Sequence, residues 1–483
     1  MESQKISVSE IPNATIRAGV LGPISEIDPR KAVDYVSALI LGQIFDTPYE
    51  AVAGQSTAKP VLFEPLRAEG TKGLEYSAAI RPGIAFSDGT PLTAEIAARS
   101  LHASALVRKV VIDVRDDRVW FTLSSRNPRF DLTLTQSSCS IVLDRGLQLH
   151  GTGPFMFEQR PNIRLLQTVP RLRLARNPRY HGQTRIDAVE FHVLKPEADG
   201  TPKALIEAMR DGSIDVTTAL SASDLASAYL PGVMPITRPS SSTALLFFNT
   251  ERAALKSVAA RRCIAAAVDT YDIASLNYGR NPAAFIATGT LPPSMVRSAG
   301  TPATNRTEAA RLATESGLKG MRLTLVLPWG PRPYLPKPLA AAQVIQKQLA
   351  EVGVTVACVE TKDSEEYFDV MGRGRFDLAL GGWIADTPDP ADFFESLLWS
   401  RAIGSETHSN HSRWQNAATD AALERFRAEP EEQHRREIDR IIRDEVPFLP
   451  LIYGQSCALH ARRLRDVTIT PTGALPLAEA AIT

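Results

Sequence analysis

Two short segments of this chain carry groups suited to holding a small charged molecule. The first is Pro328-Trp329-Gly330-Pro331-Arg332-Pro333-Tyr334. The second is Gly381-Gly382-Trp383-Ile384-Ala385-Asp386. One supplies a guanidinium and the other a carboxylate, each flanked by aromatic rings. Arg offers a planar, two-pronged fit to a carboxylate that Lys cannot match. A carboxylate is costly to bury unless paired, and an incoming ammonium would pair Asp386. Together they suit a zwitterion such as a short peptide, with Arg332, Asp386, Trp383, Tyr334 and Trp329 as the candidate ligand-binding residues. A plainer alternative stands beside each of the three central ones. Asp386 could form a turn before Pro388, Arg332 could be a surface arginine set between prolines, and Trp383 could pack in the core.

Other constellations offer less. His408-Ser409-Asn410-His411 has two histidines three apart but no third ligand nearby. Asp386, Asp389 and Asp392 recur every third residue, yet a calcium loop needs more oxygen ligands and a glycine at its sharp turn. Pro388 and Pro390 point instead to turns and a helix start, where Asp caps well. Gly151-Thr152-Gly153 lacks the third glycine and following helix of a dinucleotide fingerprint. Ser56-Thr57-Ala58-Lys59 has no Lys-Thr-Gly downstream, and neither a phosphate-binding loop nor a Gly-x-Ser-x-Gly elbow occurs. No catalytic residue, metal or cofactor is assigned.

The elements that must position the two segments read as α/β. Met321 to Leu327 is a strand. Leu339, Ala342, Ile345, Leu349 and Val352 share a helical face, and Gly353 ends that helix. Val354 to Val359 is a second strand, Ser364 to Met371 a helix, and Phe376 to Gly382 a third strand. This β-α-β-α-β run predicts a parallel sheet with helices on both faces. Ligands of such sheets sit beyond the carboxyl ends of the strands, where Arg332 and Asp386 fall. Helices follow near 415–428 and 430–443, then an extended segment from Val446 to Tyr453. Earlier, a strand spans Ala14 to Leu21 and a helix Val33 to Phe45. Thr93 caps a helix through Ser100. Val107 to Val114 and Val119 to Leu123 read as a hairpin. Strands near 170–176 and 187–194, a helix Lys203 to Arg210 and a buried strand Thr243 to Asn249 complete the pattern.

The 483 residues suggest two to four domains. Lys+Arg and Asp+Glu both number 54, so no basic excess points to nucleic acid or an anionic membrane. The Arg-rich stretch from Arg160 to Arg176 reads as solvated strand edges. Cys139, Cys263, Cys358 and Cys457 are far apart and read as buried free thiols, without fixing a redox compartment. No run is long and apolar enough for a membrane span. Met1 to Val8 shows no export signal, so a cytoplasmic chain and a processed form both stay open.

The chain resembles the extracytoplasmic solute-binding proteins of the peptide/nickel class (family 5, dipeptide/oligopeptide-binding type), which feed ABC importers. The likeness runs from about 15 to 480. It rests on Tyr76 through Phe86-Ser87-Asp88-Gly89-Thr90-Pro91-Leu92-Thr93-Ala94, on Gly151 to Phe155, and on Asn177-Pro178-Arg179-Tyr180-His181-Gly182. Further pieces are Gly212 to Val216, Phe248-Asn249-Thr250 before Ala260 to Asp269, Trp383 to Pro390, and Pro447-Phe448-Leu449-Pro450. The resemblance implies an α/β, two-lobe periplasmic-binding-protein type II-like fold with an inserted subdomain in the first lobe. It implies a first lobe of 1–40, 151–240 and 450–483, an insert of 41–150, and a second lobe of 241–449. It further implies a monomer that closes on a short peptide, with Asp386 on the ligand amine, Arg332 on its carboxylate and Trp383 lining the pocket. An ABC permease would be its partner, and no chemistry or nucleic acid is involved. The location implied is periplasmic or extracytoplasmic. The family usually carries a leader or lipobox cysteine, which is not visible here. A signal-less homologue recruited as an enzyme or accessory protein in a biosynthetic pathway is therefore the alternative.

Overall fold

The computed structural model describes residues 14–483 apart from 33, 53–56, 147, 160, 162, 196, 198–201, 221–227, 229, 280–281, 296–303 and 405–408, and the side chains of 163 and 164. The first eight residues, Val33, Ser56, Arg160 and His408 therefore lie outside the described residues, as does the side chain of Arg164.

A ten-stranded mixed sheet runs through the molecule. Its order is Phe155–Phe157, Arg171–Arg176, Ala188–Leu194, Thr15–Leu21, Val216–Thr217, Phe448–Ala461, Val233–Phe248, Leu378–Ile384, Arg322–Leu327 and Thr355–Glu360. The two longest strands, Val233–Phe248 and Phe448–Ala461, lie side by side and antiparallel. Each passes from one set of cores to another. Ala244, Leu246 and Phe248 pack with Leu449, Leu451 and Ile452 in the largest apolar cluster, which draws on residues 244 to 452. At their other ends Ala458 and Ile236 join a cluster built on Ile16, Ala18, Leu39, Phe155, Val189 and Phe191. The pairing register shifts between Pro239 and Thr243, where the strands cross from one set to the other. Such an irregularity bends a strand and strengthens its local twist.

The expected parallel unit is present. Arg322–Leu327 pairs in parallel with Thr355–Glu360 on one side and with Leu378–Ile384 on the other. The helix Pro338–Glu351 buries Ala341, Ala342, Ile345 and Leu349 in the largest cluster. The helix Ser364–Arg373 buries Tyr367 and Met371 in a different cluster, with Phe247, Phe376 and Phe394. Helices thus cover the sheet through two separate cores. Gly353, at φ +83°, ends the first helix, and the Val354 N–H reaches back to the Leu349 carbonyl at 3.0 Å. A left-handed residue there favours glycine. Because the chain moves from one side of Arg322–Leu327 to the other, the sheet has a switch point beside the ends of that strand and of Leu378–Ile384.

Residues 49 to 143 hold their own apolar cluster, including Phe63, Phe86, Phe121 and Phe130. A four-stranded sheet, Arg67–Glu69, Glu75–Ala79, Arg118–Thr122 and Val111–Arg115, backs the helix Ala94–His102. Thr93 caps that helix as expected. The hairpin turn has Asp116 and Asp117 at φ 50° and 57°, the positive values that a tight primed turn needs. Cys139, Cys263, Cys358 and Cys457 form no disulfide among the described residues; three are buried and Cys358 is half-buried. No helix among the described residues is long and apolar enough to cross a membrane.

Candidate functional site

The two segments singled out above follow neighbouring parallel strands and come together through a glycine pair. Gly381 and Gly382 lie in the strand Leu378–Ile384. A Cβ at Gly381 would stand 2.8 Å from both the Phe247 ring and the Tyr367 hydroxyl. One at Gly382 would stand 2.6 Å from the Tyr334 ring and from the Thr243 carbonyl. The glycines let aromatic rings approach the strand from both faces. Tyr334 is thereby seated against the strand that leads to Asp386.

Arg332 is held by a tight turn in which its N–H donates to the Leu335 carbonyl and the Leu335 N–H donates back. Its guanidinium lies 6.0 Å from the Tyr367 ring centre, and Nη2 donates to Ser364 Oγ at 3.2 Å. Its Nε is buried with no hydrogen-bond partner, and no carboxylate pairs with it among the described residues. A buried donor left without a partner costs roughly 1–3 kcal/mol, more when charged. Tyr367 donates to the Leu380 carbonyl at 2.8 Å. Burial pushes the Tyr334 phenol up and the Tyr367 phenol well up, while Arg332 draws both down. Both rings stay neutral beside the guanidinium.

Asp386 lies two residues past the strand Leu378–Ile384. Its surface reaches solvent, yet surrounding protein desolvates it and pushes its carboxyl up. Its carboxylate takes no hydrogen bond or ion pair among the described residues, and it forms none with Arg332. A turn closed by the Asp386 side chain is therefore not observed. The loop is held by Asp392 instead. Asp392 Oδ1 accepts from the Trp383 indole at 2.6 Å, and Oδ2 accepts from the Asp386 and Thr387 N–H groups at 3.0 and 3.2 Å. Burial, then the like charge of Asp386, push the Asp392 carboxyl up to about 8 against those donors. Asp389 caps the helix Pro390–Leu398, accepting the Ala391 N–H at 2.9 Å.

Trp383 is half-buried and packs against the cluster of Phe393 and Phe394. Trp329 is 46% exposed. The structure thus gathers Arg332, Tyr334, Trp383 and Asp386 around the ends of two strands and leaves Trp329 at the surface. Sequence reasoning passed over Tyr367, Ser364 and the clamp made by Asp392. The recurrence of Asp every third residue was the available signal for Asp392, since that spacing returns a carboxylate to the loop it follows. For His408 to His411, the first histidine lies outside the described residues, and no cluster able to hold a metal occurs among the described residues.

Residues 57–405 match the bacterial extracellular solute-binding proteins, family 5. The chain belongs to this family. Among curated proteins it is 27% identical over 241 residues to the peptide transport periplasmic protein SapA of Salmonella typhimurium. That stretch covers 49% of this chain and 43% of SapA, so the chain spans less than half the length of that relative. Solved structures show the same fold over nearly the whole length. The ABC transporter substrate-binding protein CtaP of Listeria monocytogenes superposes with a TM-score of 0.83 at 21% identity, covering 97% of this chain and 99% of that one. The dipeptide-binding protein of a Pseudoalteromonas species, in complex with Met-Leu, gives 0.79 at 20% identity, covering 97% and 100%. The α/β, two-lobe type II-like fold with an insert in its first lobe is therefore the fold of this solute-binding protein.

Proposed function

We propose that this solute-binding protein takes a short peptide, or a peptide-like zwitterion, between its lobes and delivers it to the permease of an ABC importer. One observation carries the reading. A guanidinium without an anion and a carboxylate without a cation stand on loops that follow adjacent parallel strands. Opposite charges held apart and left unpaired are complementary to a ligand carrying both. In this reading Asp386 takes the ammonium and Arg332 the carboxylate. Tyr334 and Trp383 line the pocket, and Trp329 meets the ligand at its edge. Family membership and the names of the relatives support transport over catalysis, so the protein is assigned no reaction of its own. It works as a monomer, outside the cytoplasm.

The lobes are taken as 1–40, 151–240 and 450–483 for the first, 41–150 for its insert, and 241–449 for the second. The separate apolar clusters, which divide close to these limits, support the division. Closure then turns on the paired strands Val233–Phe248 and Phe448–Ala461. Ligand contacts on both sides would shift an open/closed equilibrium toward closed.

Calorimetric titration with di- and tripeptides tests this. Wild-type protein binds a member of the set, and Arg332→Ala loses about 2–5 kcal/mol of that affinity. Peptides with a blocked N-terminus lose affinity for wild type. Tight binding untouched by Arg332→Ala would remove Arg332 from the site, and no binding across the set would remove the peptide assignment.

A further inference from the structure

The three aspartates of the ligand loop divide into separate tasks, and the middle one faces another part of the chain. Asp389 Oδ1 meets Arg129 Nη1 at 2.9 Å, with the two side chains only 13% and 10% exposed. Arg129 comes from the segment with its own core between residues 49 and 143, where it precedes the short helix Phe130–Thr133. Its guanidinium also lies 4.8 Å from the ring centre of Phe426. Its Nε is buried without a hydrogen bond among the described residues. Beside this pair Glu395 meets Arg427 at 3.3 Å, and Arg126 reaches Glu429 at 4.0 Å. One charged group of one folding unit, Arg129, is therefore buried against the loop of another, with the exposed Arg126–Glu429 pair at its edge.

A buried pair of this kind has a definite consequence for motion. Two paired charges out of water are tolerated, whereas removing one partner leaves the other buried and uncompensated. Separation of the two units returns both charges to water. The contact is thus stable only in the arrangement seen here and is lost when the units part.

We infer that Arg129 is a closure-determining residue: its ion pair with Asp389 latches the inserted segment onto the loop that carries Asp386. Because Asp389 lies three residues from Asp386 and caps the next helix, any ligand that orders the loop also presents Asp389 to Arg129. Ligand retention and closure are then coupled through a single turn of chain. The inference goes beyond the identity of the ligand and holds for any guest at Asp386.

The test uses the full chain without ligand. Arg129→Gln removes the cation. Asp389→Asn removes the charge while keeping an oxygen for the Ala391 N–H. Hydrogen–deuterium exchange is followed in peptides covering 126–134 and 386–398, with circular dichroism and thermal melting to confirm folding. Each single variant exchanges faster in both peptides, on the order of tenfold or more. The double variant, which buries no lone charge, exchanges more slowly than Arg129→Gln. Small-angle X-ray scattering reports a larger radius for Arg129→Gln than for wild type. Unchanged exchange in both singles would overturn the latch. So would single-variant effects that simply add in the double. Neither outcome touches the peptide assignment, which rests on Arg332 and Asp386.

Discussion

At the scale of single residues, the proposed site rests on two charges that take no counter-charge among the described residues. Arg332 has Ser364 and an aromatic face but no carboxylate, and Asp386 has no partner among the described residues. Asp392 is different, since it is buried and accepts three N–H groups. Its carboxyl keeps a proton up to about 8 in the folded chain, whereas in the unfolded chain it releases that proton in the ordinary carboxylate range. Between those two limits the folded state binds the extra proton. This group's contribution to stability is full below the ordinary range and is lost as pH rises through about 8. The melting temperature of wild type should therefore fall more steeply than that of Asp392→Asn from about pH 5 to about pH 8. Equal slopes in a pH series of thermal melts would show that Asp392 titrates normally.

At the scale of elements, the site depends on how closely rings approach the strand Leu378–Ile384. Gly382→Ala would drive a methyl into the Tyr334 ring and the Thr243 carbonyl. Overpacking of this sort costs roughly 1–3 kcal/mol. Displacement of Tyr334 also moves the turn holding Arg332, so melting temperature and ligand affinity should fall together. A variant as stable and as tight-binding as wild type would separate the glycine from the site. The parallel unit was legible because its apolar periods, Gly353 and the lengths of its helices all agree. The same holds for Thr93 and for the helix Lys203–Arg210, found where the sequence placed it. The long strand Val233–Phe248 was only half legible. Its unbroken apolar run shows the part from Thr243 onward. Pro235, Pro239 and the run Ser240-Ser241-Ser242 hide the rest, because proline and serine are poor strand formers and only the tertiary partner Phe448–Ala461 holds them extended. Tyr367 as a neighbour of Arg332 was illegible for a related reason. A tyrosine on a buried helical face reads as core, and nothing local shows which loop it meets.

At the scale of the whole molecule, one sheet serves both sets of cores. The loops that carry Arg332 and Asp386 follow neighbouring parallel strands at the switch point in that sheet. The crossing strands are tied to the site as well. The Ser241 N–H donates to the Pro471 carbonyl at 2.8 Å, and the Ser241 carbonyl accepts the Ala385 N–H at 2.8 Å. A backbone unit at the crossover thus links the residue before Asp386 to the segment around Pro471.

The position of Phe448–Ala461 also makes early parts of the sequence depend on late ones. This strand separates Val216–Thr217 from Val233–Phe248, and Leu464, Leu475 and Leu477 finish the cluster begun by Ile16 and Ala18. The strand Thr15–Leu21 and its core therefore depend on partners more than 400 residues away in the sequence. Purified chains truncated before residue 447 should leave the segment 14–45 open to protease, and chains that retain 448–483 should protect it. Protection already present in the truncated chain would show that the first strands mature without the tail.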